Sequence, residues 1–104
     1  MTFAVLLTRE AEEDLLRLFD FIIERELARA GDLDIAERAL EAIRAAFGLL
    51  ERTPFSCRKV GVSPFHRELI IPFGNTGYVA LFEIASNETV VVGAIRHQRE
   101  DDYH

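Results

Sequence analysis

The chain has 104 residues, 49% hydrophobic and 29% charged, an ordinary globular composition that suits one domain over residues 1–104 and not a disordered chain. Its 12 basic and 18 acidic residues give a net charge of −6, so direct nucleic-acid binding by the chain alone, driven by phosphate neutralisation, is not expected. Cys57 is the single cysteine, which rules out an intrachain disulfide and reads as a half-buried thiol near a loop.

Residues 1–8 are apolar but short and carry no basic start, so they do not read as a signal peptide. No apolar run reaches bilayer-crossing length, and a cytoplasmic bacterial protein without membrane association is expected. Phe3, Val5 and Leu7 alternate with their neighbours as a short, mostly buried strand does. Thr8 stands at an N-cap position, with Glu10, Glu12 and Glu13 at the positive end of a helix dipole. Ala11, Leu15, Leu18, Phe19, Ile22 and Glu26 follow at helical spacing, which predicts one long helix to about Arg29. Gly31 is expected to end it in the left-handed conformation.

Asp32 or Asp34 caps a second helix whose apolar face reads Ile35, Ala36, Ala39, Leu40, Ile43, Phe47 and Leu50. The short loop between the helices predicts an antiparallel hairpin. Thr53-Pro54 stops the second helix, because the residue before proline avoids helical geometry. Strands then follow at residues 65–71, ended by Pro72, at 78–84 and at 89–95, with turns at 74–77 and 86–88. The expected architecture is α+β, in the order β-α-α-β-β-β: an antiparallel sheet with the helical hairpin on one face. The strands are nevertheless apolar on both faces, since Val79 and Leu81 oppose Tyr78, Ala80, Phe82 and Ile84. Either the sheet curls upon itself or a partner covers the second face.

No phosphate loop, dinucleotide fingerprint, zinc-ligand pairing or nucleophile elbow is present, so neither cofactor nor metal is expected. The helical carboxylates Glu12, Glu13, Asp20 and Glu24 read as a solvated face. More informative is residues 96–104, where a strand end passes into Arg96, His97, Arg99 and Tyr103, types that bind phosphate and shuttle protons. Residues 52–67 add Arg52, Arg58, Lys59, His66 and Arg67 with no acid, and Arg58, Lys59 and Arg67 are expected to converge on the same sheet edge as the C-terminal cluster.

Several of these residues together resemble the RelE/ParE toxin superfamily over nearly the whole chain. They are Ala11, Asp14, Leu15, Phe19 and Ile22; the run Leu49-Leu50-Glu51-Arg52-Thr53-Pro54; Arg67-Glu68-Leu69; a Tyr78-containing strand; and Ile95-Arg96-His97-Gln98-Arg99. The resemblance implies the toxin of a type II toxin–antitoxin module, silenced by a cognate antitoxin that is encoded beside it and binds DNA through its N-terminus. Arg58, Lys59, Arg67, Arg96 and Arg99 would then contact target or antitoxin. RelE-like members cut messenger RNA on the ribosome, and Arg67, His97, Arg99 and Tyr103 fall in register with that catalytic set. ParE-like members instead inhibit DNA gyrase by protein contact. A single lysine, the net negative charge and Glu100, Asp101 and Asp102 beside the basic cluster depart from the nuclease pattern, and favour the ParE-like branch. A third reading is an interaction module of the same fold without toxicity.

Overall fold

A computed structural model describes residues 2–98. The chain runs β1 (Ala4–Leu7), α1 (Arg9–Ala28), α2 (Asp34–Arg52), a 3-10 turn (Pro54–Ser56), β2 (Arg58–Lys59), β3 (His66–Phe73), β4 (Thr76–Ile84) and β5 (Thr89–His97). The strands form one open sheet in the order β1-β5-β4-β3-β2. β1 joins it across the helical hairpin by lying parallel to β5, while the other pairings are antiparallel. The fold is α+β as expected, with one addition to the β-α-α-β-β-β order. Arg58 and Lys59 form a two-residue edge strand against Glu68 and Arg67, too short to show any alternation in sequence.

Local chemistry accounts for the helix ends, with two corrections. The Thr8 hydroxyl accepts from the Ala11 N–H at 3.1 Å and caps α1 as expected. At the other end Ala30, not Gly31, takes the left-handed conformation, with φ 52°. The N–H groups of Ala30 and Gly31 reach back to the carbonyls of Leu27 and Glu26, a Schellman closure with Gly31 one residue further on. Gly31 is glycine for another reason: a β-carbon there would lie 2.3 Å from a Glu26 carboxylate oxygen. For α2, Leu33 holds the N-cap position and offers no side-chain bond. The Asp32 carboxylate supplies it from one residue earlier, accepting from the Asp34 N–H at 2.9 Å.

Pro72 does not end β3, which continues to Phe73 with Pro72 opposite Gly77. The His66 carbonyl accepts from Val60 on the β2 side, so by alternation Ile70 and Pro72 also turn their backbone groups toward that edge. β2 is spent by then, and the missing proline N–H faces an open edge where it breaks no ladder bond.

The core lies between the hairpin and one sheet face. Leu18 and Ile22 of α1 and Ile43 and Leu50 of α2 pack with Leu69, Ile71, Phe82, Val90, Val92 and Ile95. Each such large side chain contributes roughly 1.5–3 kcal/mol by leaving water. A bulge at Gly93 shifts the β4–β5 register between Leu81 and Phe82. Past the bulge β1 has ended, and the Asp14 carboxylate of α1 takes the Ile95 N–H at 2.9 Å.

The opposite face of the sheet answers the question raised by its double apolar pattern. The strand order does not close on itself, so the sheet has two edges. Leu6, Ile70, Leu81, Val91 and Ala94 lie on the face away from the helices, with Leu6 53% and Ile70 40% exposed.

Candidate functional site

The basic residues of the 52–67 stretch are largely occupied by the fold. Arg67 donates from Nε to the Pro64 carbonyl at 2.8 Å, and from one terminal nitrogen to those of Phe55 at 2.7 Å and Cys57 at 2.8 Å. Its guanidinium also stacks over the Phe55 ring, 5.3 Å from the centroid. A planar fork with five donors suits such work, satisfying loop carbonyls that no strand partner reaches. Arg58 pairs with Glu68, its Nε 2.6 Å from the carboxylate. Lys59 is exposed opposite Arg67. Burial pushes the Cys57 thiol up, against the opposing pull of Arg67, which suits a packed thiol and not a nucleophile.

His97 ends β5 opposite Tyr78. Its Nε2 shares a hydrogen bond with the Thr76 hydroxyl at 3.0 Å, and its ring meets that of Tyr78 edge-on, centroids 5.7 Å apart. Burial raises the Tyr78 phenol above its ordinary range, with Arg25 pulling the other way, so it remains protonated near neutrality. Arg96, half-buried, alternates to the opposite face and sits across from Val79.

Among the described residues the expected convergence of these groups on one edge does not occur. Arg67 pairs with Phe82 of β4 and His97 with Tyr78, on opposite sides of that strand. Four residues of β4 separate the two positions, about 13 Å along the strand, and two strand spacings add about 10 Å across it. Arg58 and Arg96 belong to the open face, and His97 to the face that the helices cover. Arg99 and Tyr103 lie outside the described residues. Among the described residues no cluster of His, Cys, Asp or Glu is placed to hold a metal ion, and no helix is long and apolar enough to cross a membrane.

The structure brings a different set together. A cleft of about 1060 Å3 opens between α1 and the β3–β4 turn, with His97 and Tyr78 in its lining. The α1 wall is a stripe at four-residue spacing, Arg17, Phe21, Arg25 and Arg29, and Phe73 stands on the sheet side. Glu26, fully buried, organises two of these cations. One of its carboxylate oxygens lies 3.1 Å from Arg25 Nε and 2.7 Å from a terminal nitrogen of Arg29, while the other accepts the Asp32 N–H at 3.2 Å. Burial works against the charge of Glu26, but the bonds from Arg25 and Arg29 and the backbone N–H outweigh it and hold its carboxyl below the ordinary value. Phe21 is 57% exposed beside them. The carboxylates Glu12, Glu13, Asp20 and Glu24 are exposed, as a solvated face requires, and the arginine stripe lies outside that reading. The four-residue recurrence of arginine around an exposed phenylalanine was its legible signal.

Comparison with known proteins gives a consistent result. Residues 5–102 match the family described as the ParE toxin of the type II toxin–antitoxin system parDE. The chain is 34% identical over 94 residues to Toxin RelE1 of Caulobacter vibrioides, covering 88% of this chain and 89% of that protein. Among solved structures it resembles a chain of the chromosomal ParDE toxin–antitoxin system of P. aeruginosa, with TM-score 0.68 and 18% identity over 92% of this chain and 96% of that one. It also resembles a chain of the toxin–antitoxin complex RelBE2 of Mycobacterium tuberculosis, with TM-score 0.54 and 24% identity over 94% of this chain and all of the other.

Proposed function

The chain belongs to the ParE toxin family of type II toxin–antitoxin systems, and from that premise we propose that it is a ParE-like inhibitor of DNA gyrase, neutralised by a cognate antitoxin. One observation carries the choice of branch. Cutting RNA requires cations and a proton-transfer group around one phosphate. Here Arg67 is committed to three loop carbonyls, Arg58 to Glu68, and His97 lies at the far end of β4 from both. An inhibitor that works by protein contact needs no such assembly. A net charge of −6 points the same way, since it disfavours approach to ribosomal RNA.

The antitoxin reading draws on the open apolar sheet face and on the two solved neighbours, both of them from toxin–antitoxin systems. The test of target uses the purified chain in two assays side by side. Gyrase supercoiling should be inhibited, and messenger RNA in a purified translation system should stay intact. Cleaved messenger, abolished by His97→Ala, would replace gyrase inhibition with nuclease chemistry. Activity in neither assay, with the antitoxin still bound, would leave the non-toxic interaction module.

A further inference from the structure

Between the end of α2 and the start of β3 the chain presents apolar side chains that the core does not use. Phe55 and Phe65 are half exposed, Val60 is exposed, and Val62 in the β2–β3 loop lies wholly in water. None of the four belongs to the core cluster. The segment is nonetheless firmly built. Arg67 ties the Phe55 and Cys57 carbonyls of one stretch to the Pro64 carbonyl of the other. The Val60 N–H donates to the His66 carbonyl at 2.8 Å, the Phe65 N–H donates to the Ser63 hydroxyl at 3.2 Å, and Gly61 turns the chain with φ 74°. The Phe55 and Phe65 rings meet edge-on, centroids 6.4 Å apart, beside a hollow of about 480 Å3 that Phe3 and Ile84 also line. Apolar groups held in place by their backbone, yet left in water, mark a surface that a partner covers at low ordering cost.

Charge says what kind of partner fits. Residues 52–67 hold Arg52, Arg58, Lys59 and Arg67 and no acid. Of these four, only Arg58 has a carboxylate partner among the described residues, Glu68. Arg67 is bonded to neutral carbonyls, while Arg52 and Lys59 are exposed. Glu83, which also lines the hollow, is bonded to His66 at 3.1 Å. A chain of net charge −6 thus carries three cations without a counter-carboxylate in the one stretch that bears the patch. We propose that this patch is the surface with which the chain grips its target, and that it takes an acidic protein surface with an apolar centre. The inference rests on the gyrase-inhibitor reading above. Val62 and Phe65 pack against the apolar centre, and Lys59 and Arg52 pair with carboxylates at its rim. Arg67 already stacks over the Phe55 ring, and Val60 and Val62 offer no ring for a base to stack on, which favours a protein over a nucleic acid. The patch shares no residue with the α1 cleft or with the open-face group of Leu6, Ile70, Leu81, Val91 and Ala94, so antitoxin binding is a separate readout.

The test measures gyrase supercoiling against increasing amounts of the purified full chain and of three variants, Val62→Asp, Lys59→Glu and Leu16→Asp. All three positions are exposed, and Leu16 lies on α1 outside the patch, so Leu16→Asp carries the charge change of Val62→Asp elsewhere. Val62→Asp and Lys59→Glu should each raise the half-inhibiting concentration by about tenfold or more, with Lys59→Glu also flattening the salt dependence. Leu16→Asp should stay within about twofold. Both patch variants should bind the product of the neighbouring reading frame as tightly as the wild-type chain does. Thermal melts accompany every variant, and Val62→Ser replaces Val62→Asp if the new charge unfolds the chain. Wild-type potency in either patch variant would overturn the inference and leave gyrase inhibition standing. No inhibition by the wild-type chain would overturn that reading and the inference with it. Loss of antitoxin binding in the same two variants would overturn target contact in favour of an antitoxin surface. Binding of a single-stranded RNA of about 12 nucleotides, lost in both, would overturn the protein occupant in favour of RNA.

Discussion

Glu26 shows how one residue can be misplaced by pattern and still be required by the fold. Its helical position falls on the apolar face of α1, and the structure buries it there as a charged group. Such burial is tolerated because two guanidiniums and the Asp32 N–H complete its hydrogen bonds. Gly31 supplies the room, since any β-carbon would strike the carboxylate. The consequence is a pH dependence of defined sign. The folded-state carboxyl is held below its ordinary value of 4.5, so its contribution to stability is fully present above that value and is lost as pH falls through the depressed one. Glu26→Gln should therefore lower the melting temperature most at neutrality. The gap to wild type should narrow as the pH is taken from neutrality down through and below 4.5. Melting curves across that range check it, and a gap that widens in acid would show that the ion pairs do not stabilise the fold.

At the scale of elements, a side-chain bond from α1 supplements its packing on β5. β5 is paired by β1 only as far as Val92, and the Thr8 N–H and hydroxyl then reach the carbonyls of Val92 and Gly93. Beyond the bulge the Ile95 N–H has the Asp14 carboxylate as its acceptor, while Ile95 itself is fully buried. Removing that acceptor strands a donor where water enters poorly. Asp14→Ala should cost about 1–3 kcal/mol in a urea titration, and Asp14→Asn, which keeps an acceptor, clearly less. Equal losses in the two variants would mean that the ion pair with Arg17, and not the bond to Ile95, is what matters. The same element-level view explains Pro72. The residue reads as a strand stop, yet it is tolerated because its nitrogen faces an edge that β2 has already left.

At the scale of the whole molecule, the isolated chain leaves apolar groups in water on two sides, Leu6 and Ile70 on the open sheet face and Phe21 in the α1 cleft. A protein that binds the folded chain alone stabilises it by mass action, about 2.7 kcal/mol at a hundredfold excess over Kd. For a domain of this size that should raise the melting temperature by roughly 10 °C or more. An unchanged melt in the presence of excess antitoxin would remove the support for a covered surface. The sequence by itself determined the order of the elements other than β2, the Thr8 cap, the α+β class and the family, because helical period, strand alternation, capping and turn residues act over a few positions. Even the Arg17, Phe21, Arg25 and Arg29 stripe was present in it as a four-residue spacing. Only the tertiary structure decided that β1 lies parallel to β5, that Glu26 is buried between two arginines, and that Phe73 closes the cleft opposite the stripe. It also decided that Arg67 and His97 stay apart. Residues distant in the chain meet or miss according to strand register, and a shift of one position exchanges the faces of a sheet.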